Sequence, residues 1–173
     1  MGIAFDNLDE DKVKSLIGDV DINYDKVKSI VDDIVKPYCE ELDNYVEFVK
    51  SIVTNPDEPP TAQELDDFCL NLSVYIYYAS AMQENLGIKD DIAKAVYKDV
   101  YYNVRHAQDK GTVADKDTIA ELASQQEYLV SLCYKRSYAI VKAKVLAAQE
   151  LLTSCKKVIS RRMTEYELTN MNS

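Results

Sequence analysis

The sequence predicts an all-α fold: an elongated helical bundle with a kinked long helix, a very long C-terminal helix and coiled-coil-like packing. Three observations carry this. Glycine and proline number only four each in 173 residues, too few for the turns of a β-sandwich or barrel. Apolar residues recur in steps of three and four over most of the chain. The last stretch, from about residue 118 to the end, contains neither breaker. Hydrophobic residues at 47% and charged residues at 29% mark a folded chain rather than a disordered one, and the length suits one domain.

Taken in order, Asp9 or Asp11 caps a short first helix that runs through Ile17 and stops at Gly18. A long helix follows from about Tyr24 to Val53. Its face is built from Val27, Ile30, Val31, Ile34, Val35, Tyr38, Leu42, Tyr45, Val46, Val49, Ile52 and Val53. Pro37 lies within it, yet the face stays in phase across the proline, so one kinked helix is expected. Residues 1–54 form an acidic N-terminal helical segment and 61–173 a helical core with a basic C-terminal helix, the two making one continuous domain.

Asn55-Pro56-Asp57-Glu58-Pro59-Pro60 is the clear loop, and Thr61-Ala62-Gln63-Glu64 has the form of a capping box. The helix it opens is expected to run to about Asn85 and stop at Gly87. Another begins at Asp90 or Asp91, carries Ile92, Val96, Val100 and Val104, and closes near Gly111. Thr112 to Asp117 caps the last helix. Its seam comprises Leu122, Leu129, Val130, Cys133, Ile140, Val141, Val145, Ala148, Leu151, Leu152, Cys155, Val158 and Ile159. If continuous, this helix has about 45–50 residues and is about 70 Å long. So long an apolar seam calls for an antiparallel neighbour or for self-association, and a homo-oligomer is expected.

Charge is unevenly spread. The net charge is −10, but residues 1–100 carry 9 Lys+Arg against 22 Asp+Glu and residues 101–173 carry 11 against 8. From Ser131 to Arg162 there are eight cations and one acid, Glu150. Such asymmetry implies an anionic partner for the basic segment: nucleic acid, or the acidic half of this chain or of a neighbouring subunit. At 100° per residue, Lys135, Arg136, Lys142, Lys157 and Arg161 fall on an arc of roughly 120° facing away from the apolar seam, a layout suited to tracking phosphates. Lys144 and Arg162 point toward the seam and are expected to pair with acids on a neighbouring helix.

Thirteen tyrosines accompany no tryptophan. Tyrosines line helix contacts, or they stack on unpaired bases where cations flank them. By sequence, Tyr134 and Tyr138 have that neighbourhood, beside Lys135, Arg136 and Lys142.

Other chemistry finds little purchase. Asp19-x-Asp21-x-Asn23-x-Asp25 resembles the start of a calcium loop, but Tyr24 stands where glycine is needed and Ile30 where the bidentate acid is needed, so capping of the following helix is the expected role. The single histidine, His106, has no nucleophile or second titrating group beside it in sequence. Cys39, Cys69, Cys133 and Cys155 are widely spaced among apolar positions, as expected of buried free thiols in a reducing compartment. No catalytic site, cofactor or metal is expected. Met1-Gly2-Ile3-Ala4-Phe5-Asp6 lacks the basic start of a signal peptide, and Asp6 replaces the hydroxyl residue of a myristoylation signal. With no span-length apolar run, no membrane partner is expected and the chain reads as cytoplasmic.

The C-terminal portion resembles the UvsY-type phage recombination-mediator family. The likeness rests on a helix closing at Arg105-His106-Ala107-Gln108-Asp109-Lys110-Gly111, a short polar break, and a long final helix ending Lys156-Lys157-Val158-Ile159-Ser160-Arg161-Arg162. The resemblance implies a small oligomeric helical protein that helps load a recombinase onto single-stranded DNA, with Arg105, shortly before the glycine, among the DNA-holding cations. The acidic first half, and valine or histidine where a further cation is expected near Arg105, depart from the family. The expected function is a non-enzymatic accessory of DNA recombination that binds single-stranded DNA through Arg105, Tyr134, Lys135, Arg136, Tyr138, Lys142, Lys157 and Arg161. The rivals are a structural or virion-assembly protein and an acidic DNA mimic that inhibits a nucleic-acid enzyme.

Overall fold

A computed structural model describes residues 10–171 apart from Pro56. Asp9 as a cap, and the readings that rest on Met1 to Asp6, lie outside the described residues. Four helices and no strand are present among the described residues: α1 (Glu10–Val53), α2 (Ala62–Ala107), α3 (Val113–Ala123) and α4 (Gln125–Met171). The all-α fold with a very long last helix is therefore as expected, while several helix boundaries are not.

α1 is one 44-residue helix that passes through Gly18 and Pro37 without interruption. Gly18 does not stop it, and Asp19 to Asp25 lies in its interior rather than in a loop or a cap. Glycine is only about 1 kcal/mol worse than alanine inside a helix, a cost that helical neighbours on both sides offset. α2 likewise continues through Gly87 for 46 residues. Gly87 serves packing instead: a Cβ there would lie 3.3 Å from Cε2 of Tyr138 on α4. The missing side chain lets the tyrosine ring lie against the α2 backbone.

The expected single final helix is in fact two, parted at Ser124, where neither glycine nor proline marks the break. Ser124 is fully buried, leaves helical geometry at φ −100° and ψ 12°, and donates its hydroxyl to the Ala120 carbonyl at 2.7 Å. A serine that hydrogen-bonds its own backbone competes with the helix ladder. Gly111, at φ +107°, is the residue that turns the chain after α2.

Two helix starts are true capping boxes. Thr61 accepts from the Glu64 amide at 3.2 Å while Glu64 accepts from the Thr61 amide at 2.7 Å. Thr112 and Asp115 repeat the arrangement at 3.2 and 2.9 Å. These bonds hold the Glu64 and Asp115 carboxyls below their ordinary range. Because the folded values are depressed, the stabilisation is present at neutral pH and is lost as pH falls through them. Thr61→Ala and Thr112→Ala are each expected to cost about 1 kcal/mol in denaturant unfolding. The double variant should also lose part of the wild type's decline in stability in acid; an unchanged acid limb would refute the role.

α1, α2 and α4 form a three-helix bundle. α1 and α2 run antiparallel: Phe48 meets Phe68 edge-on at 5.9 Å, Tyr45 meets Tyr75 at 4.9 Å, and Lys89 donates to the Tyr38 hydroxyl at 2.8 Å. α2 and α4 are also antiparallel, from Tyr97 against Tyr128 at 5.4 Å, past Gly87 and Tyr138, to Arg162 and the Pro60 carbonyl at 2.5 Å. α3 folds back on the end of α2, where Arg105 and Tyr101 both donate to Asp117 at 2.5 and 3.1 Å.

The core is one contiguous column. α1 contributes Val31, Val35, Cys39, Leu42 and Val49; α2 contributes Leu65, Phe68, Leu72, Ile76, Ala79 and Leu86; α4 contributes Cys133, Val141, Val145, Ala148 and Cys155. Beyond this column, Leu122, Leu129 and Val130 of the expected final seam are 69, 44 and 51% exposed. Tyr24 and Ile30 of α1 are exposed as well, so these side chains do not join the central column.

Candidate nucleic-acid interface

α4 has two kinds of cation. Those directed inward are committed to the fold. Lys144 pairs with Asp43 of α1 at 2.6 Å, as expected of a seam-facing lysine. Arg162 binds the Pro60 carbonyl instead of the expected acid, because the loop before α2 is what faces it. Those directed outward, Lys135, Arg136, Lys142, Lys156 and Lys157, are exposed and make no ion pair among the described residues. Arg161 is exposed and lies 3.5 Å from Glu165, a contact too long and too solvated to hold it.

This row exists because the helix buries a heptad seam and leaves its back to solvent. Lys135, Lys142 and Lys156 fall at multiples of seven, on the edge of α4 that adjoins α2, with successive heptads about 10.5 Å apart. Arg136 and Lys157 occupy the outermost line. α1 packs on the opposite edge, through Asp43 and through a cleft shared by Val35, Asp32, Ile140 and Lys144. The acidic α1 therefore leaves the outward cations of its own α4 uncovered.

The other residues expected to hold nucleic acid are placed differently. Arg105 is half-buried, and Asp117 engages it. That pairing holds the Asp117 carboxyl below its usual value. Tyr134 is half-buried and lines a cleft with Lys89 and Val130. Tyr138 is half-buried against Gly87, its hydroxyl 3.4 Å from Gln83 Nε2. Neither tyrosine offers an open ring face beside the outward cations.

Tyr77 does. It is 71% exposed on α2, set edge-on to Tyr78 at 5.6 Å. It shares with Lys142, Leu146 and Gln149 of α4 a cleft of about 460 Å³. No sequence signal marks this aromatic–cation pair, since the two residues lie 65 positions apart and meet only through antiparallel packing.

A second cleft, of about 440 Å³, lies between α2 and the start of α4, lined by Lys89, Ile92, Ala93, Val96, Gln126, Glu127, Val130 and Tyr134. Near it are two carboxylate oxygens without hydrogen-bond partners, Asp90 Oδ1 and Glu127 Oε2. The other Asp90 oxygen accepts from Lys94 at 2.7 Å.

The cysteines are free. Burial pushes the Cys39 thiol up to about 11 and raises those of Cys69, Cys133 and Cys155 as well. Thiols held protonated in this way are poor nucleophiles. His106 is exposed in the last turn of α2. Among the described residues, no three His, Cys, Asp or Glu side chains are grouped to hold a metal ion, and no helix is long and apolar enough to cross a membrane. No family model, curated protein or solved structure matches this chain.

Proposed function

We propose that this protein binds single-stranded DNA along the back of α4 and serves recombination as a non-enzymatic accessory, delivering the strand to a partner such as a recombinase. One observation carries the reading. Five cations on that back, Lys135, Arg136, Lys142, Lys156 and Lys157, stay exposed and unpaired among the described residues, although the chain as a whole carries −10. Carboxylates are few beside them: Glu150 shares the outermost line with Arg136 and Lys157, and Glu84 of α2 lines the cleft that holds Lys142. The excess of cations over these two acids creates a local positive field of the kind that tracks phosphates. Tyr77, beside Lys142, adds an aromatic face on which a base can stack. The UvsY-type resemblance of the C-terminal portion points the same way.

An assembly role is the second reading, and it is favoured by the uncharged exposed side of α2 between Phe68 and Gln83. Titration of a labelled oligo(dT) across a salt series separates the two. About five phosphate contacts predict that log K falls by about 3.5 per decade of salt. Absence of binding at low salt would sink the DNA reading, and a stable oligomer that ignores DNA would favour assembly.

A further inference from the structure

The cleft shared by Tyr77 and Lys142 holds more than a ring and a cation. Its α2 wall runs from Tyr77 to Glu84, one heptad and so about 10.5 Å along the helix, with Ser80 and Ala81 between them. Those two small side chains leave the floor open. The α4 wall supplies Lys142 and Leu146. Glu84 is the member that a phosphate track does not explain. A carboxylate there repels every strand alike, unless some group of the strand uses it. Nor does it serve to hold Lys142, since the two line one cleft yet form no ion pair among the described residues. A charged acceptor and a charged donor thus border the same space, beside an aromatic ring that is 71% exposed.

We infer that this cleft is a site for one guanine base of the bound strand, an inference that rests on the reading of α4 as the DNA-binding face. The base stacks on Tyr77 and turns its Watson–Crick edge toward Glu84. Guanine alone among the four DNA bases carries two adjacent donors on that edge, N1–H and the N2 amino group. They match the two oxygens of a carboxylate, a charge-assisted and bidentate contact. The neighbouring O6 accepts from the Lys142 ammonium. The other bases fail on the same chemistry. Adenine and cytosine each set a ring acceptor beside one amino donor, and that acceptor meets the carboxylate lone pairs. Thymine has a single N–H between two carbonyl oxygens, which the carboxylate repels. Size is suitable as well, since a cleft of about 460 Å³ falls within the about 300–1,000 Å³ of small-ligand sites. Lys135 and Arg136, about one heptad back along α4, remain for the adjoining phosphates.

Binding of two strands of equal length tests the site, one all thymine and one with guanine at every fourth position, in lithium salt so that guanine quartets do not form. The guanine strand is expected to bind the wild type at least about tenfold tighter. A third strand with inosine for guanine lacks the N2 amino group and should lose most of that preference. Glu84→Gln replaces one acceptor oxygen by a donor and should abolish it, while binding the all-thymine strand as tightly as the wild type or tighter. The ratio of the two affinities is the readout, because simple loss of a repelling charge tightens both strands alike and leaves the ratio unchanged. Glu84 is exposed, so the variant keeps the wild-type helicity and melting. Equal binding of the two strands by the wild type, or a guanine preference that survives Glu84→Gln, overturns the guanine site and leaves the DNA reading standing. Failure of both strands to bind at low salt overturns that reading, and the site with it.

Discussion

The triple variant R136E/K142E/K157E is expected to bind single-stranded DNA on the order of 10²–10³-fold more weakly than wild type at low salt. The magnitude follows from counterion release: each lost phosphate contact removes about 0.7 from the salt slope, so three remove about 2. At about 50 mM salt each such contact is worth close to a factor of ten, and the new carboxylates add repulsion. The three side chains are exposed and make no ion pair among the described residues, so folding is not at stake. Net charge alone is controlled by K50E/K98E/K110E, which makes the protein equally more negative at exposed sites off α4. That control should lose less than about tenfold, since exposed charges beyond a Debye length are screened. Equal losses in the two triples, or binding by the first within threefold of wild type, would dissolve the case for α4.

Leu72→Ala should destabilise the fold by about 3 kcal/mol, within the about 2–5 kcal/mol range of fully buried leucines. Leu72 has no exposed surface, and it belongs to the column that all three long helices build. Removing three methylene-sized groups there loses their transfer energy and leaves a void that helices fixed over 40 residues or more cannot close. For a chain of this size the midpoint should drop by roughly 6–12 °C. Leu122→Ala makes the contrast. Leu122 belongs to an equally regular apolar pattern but is 69% exposed, and its loss should cost under about 0.5 kcal/mol. Comparable losses at the two positions would mean that residues 113–130 are covered as fully as the central column.

The pair Leu72 and Leu122 also shows how far the sequence could be read. Periodicity identifies a face that wants cover, and it did so correctly for Val31 to Val49 and for Val141 to Cys155. It carries no information about whether a neighbour reaches that face. Ile92, Val96, Leu129 and Val130 keep the pattern of a core, yet they are exposed and lie outside the column that α1, α2 and α4 build. Glycine misled for a related reason. At Gly87 the local signal reads as a helix stop, while the tertiary fact is a tyrosine ring from another helix lying 3.3 Å from where a Cβ would stand. Ser124 erred the other way, since serine is an ordinary helix residue until burial commits its hydroxyl to the Ala120 carbonyl.

The chain's local chemistry was sufficient for the helical class, the Thr61 capping box, a helix start at Thr112, passage of α1 through Pro37 and the cationic back of α4, because each depends on residues within a few turns of one another. Tertiary packing alone decided which cations stay free. Asp43 and Pro60 come from distant parts of the chain to occupy Lys144 and Arg162, while Arg136 and Lys142 make no ion pair among the described residues. It also decided that Tyr77, and not Tyr134 or Tyr138, stands open beside a cation. A helix's own spacing says which side chains share a face; only the neighbouring helices determine which of those faces remain in water.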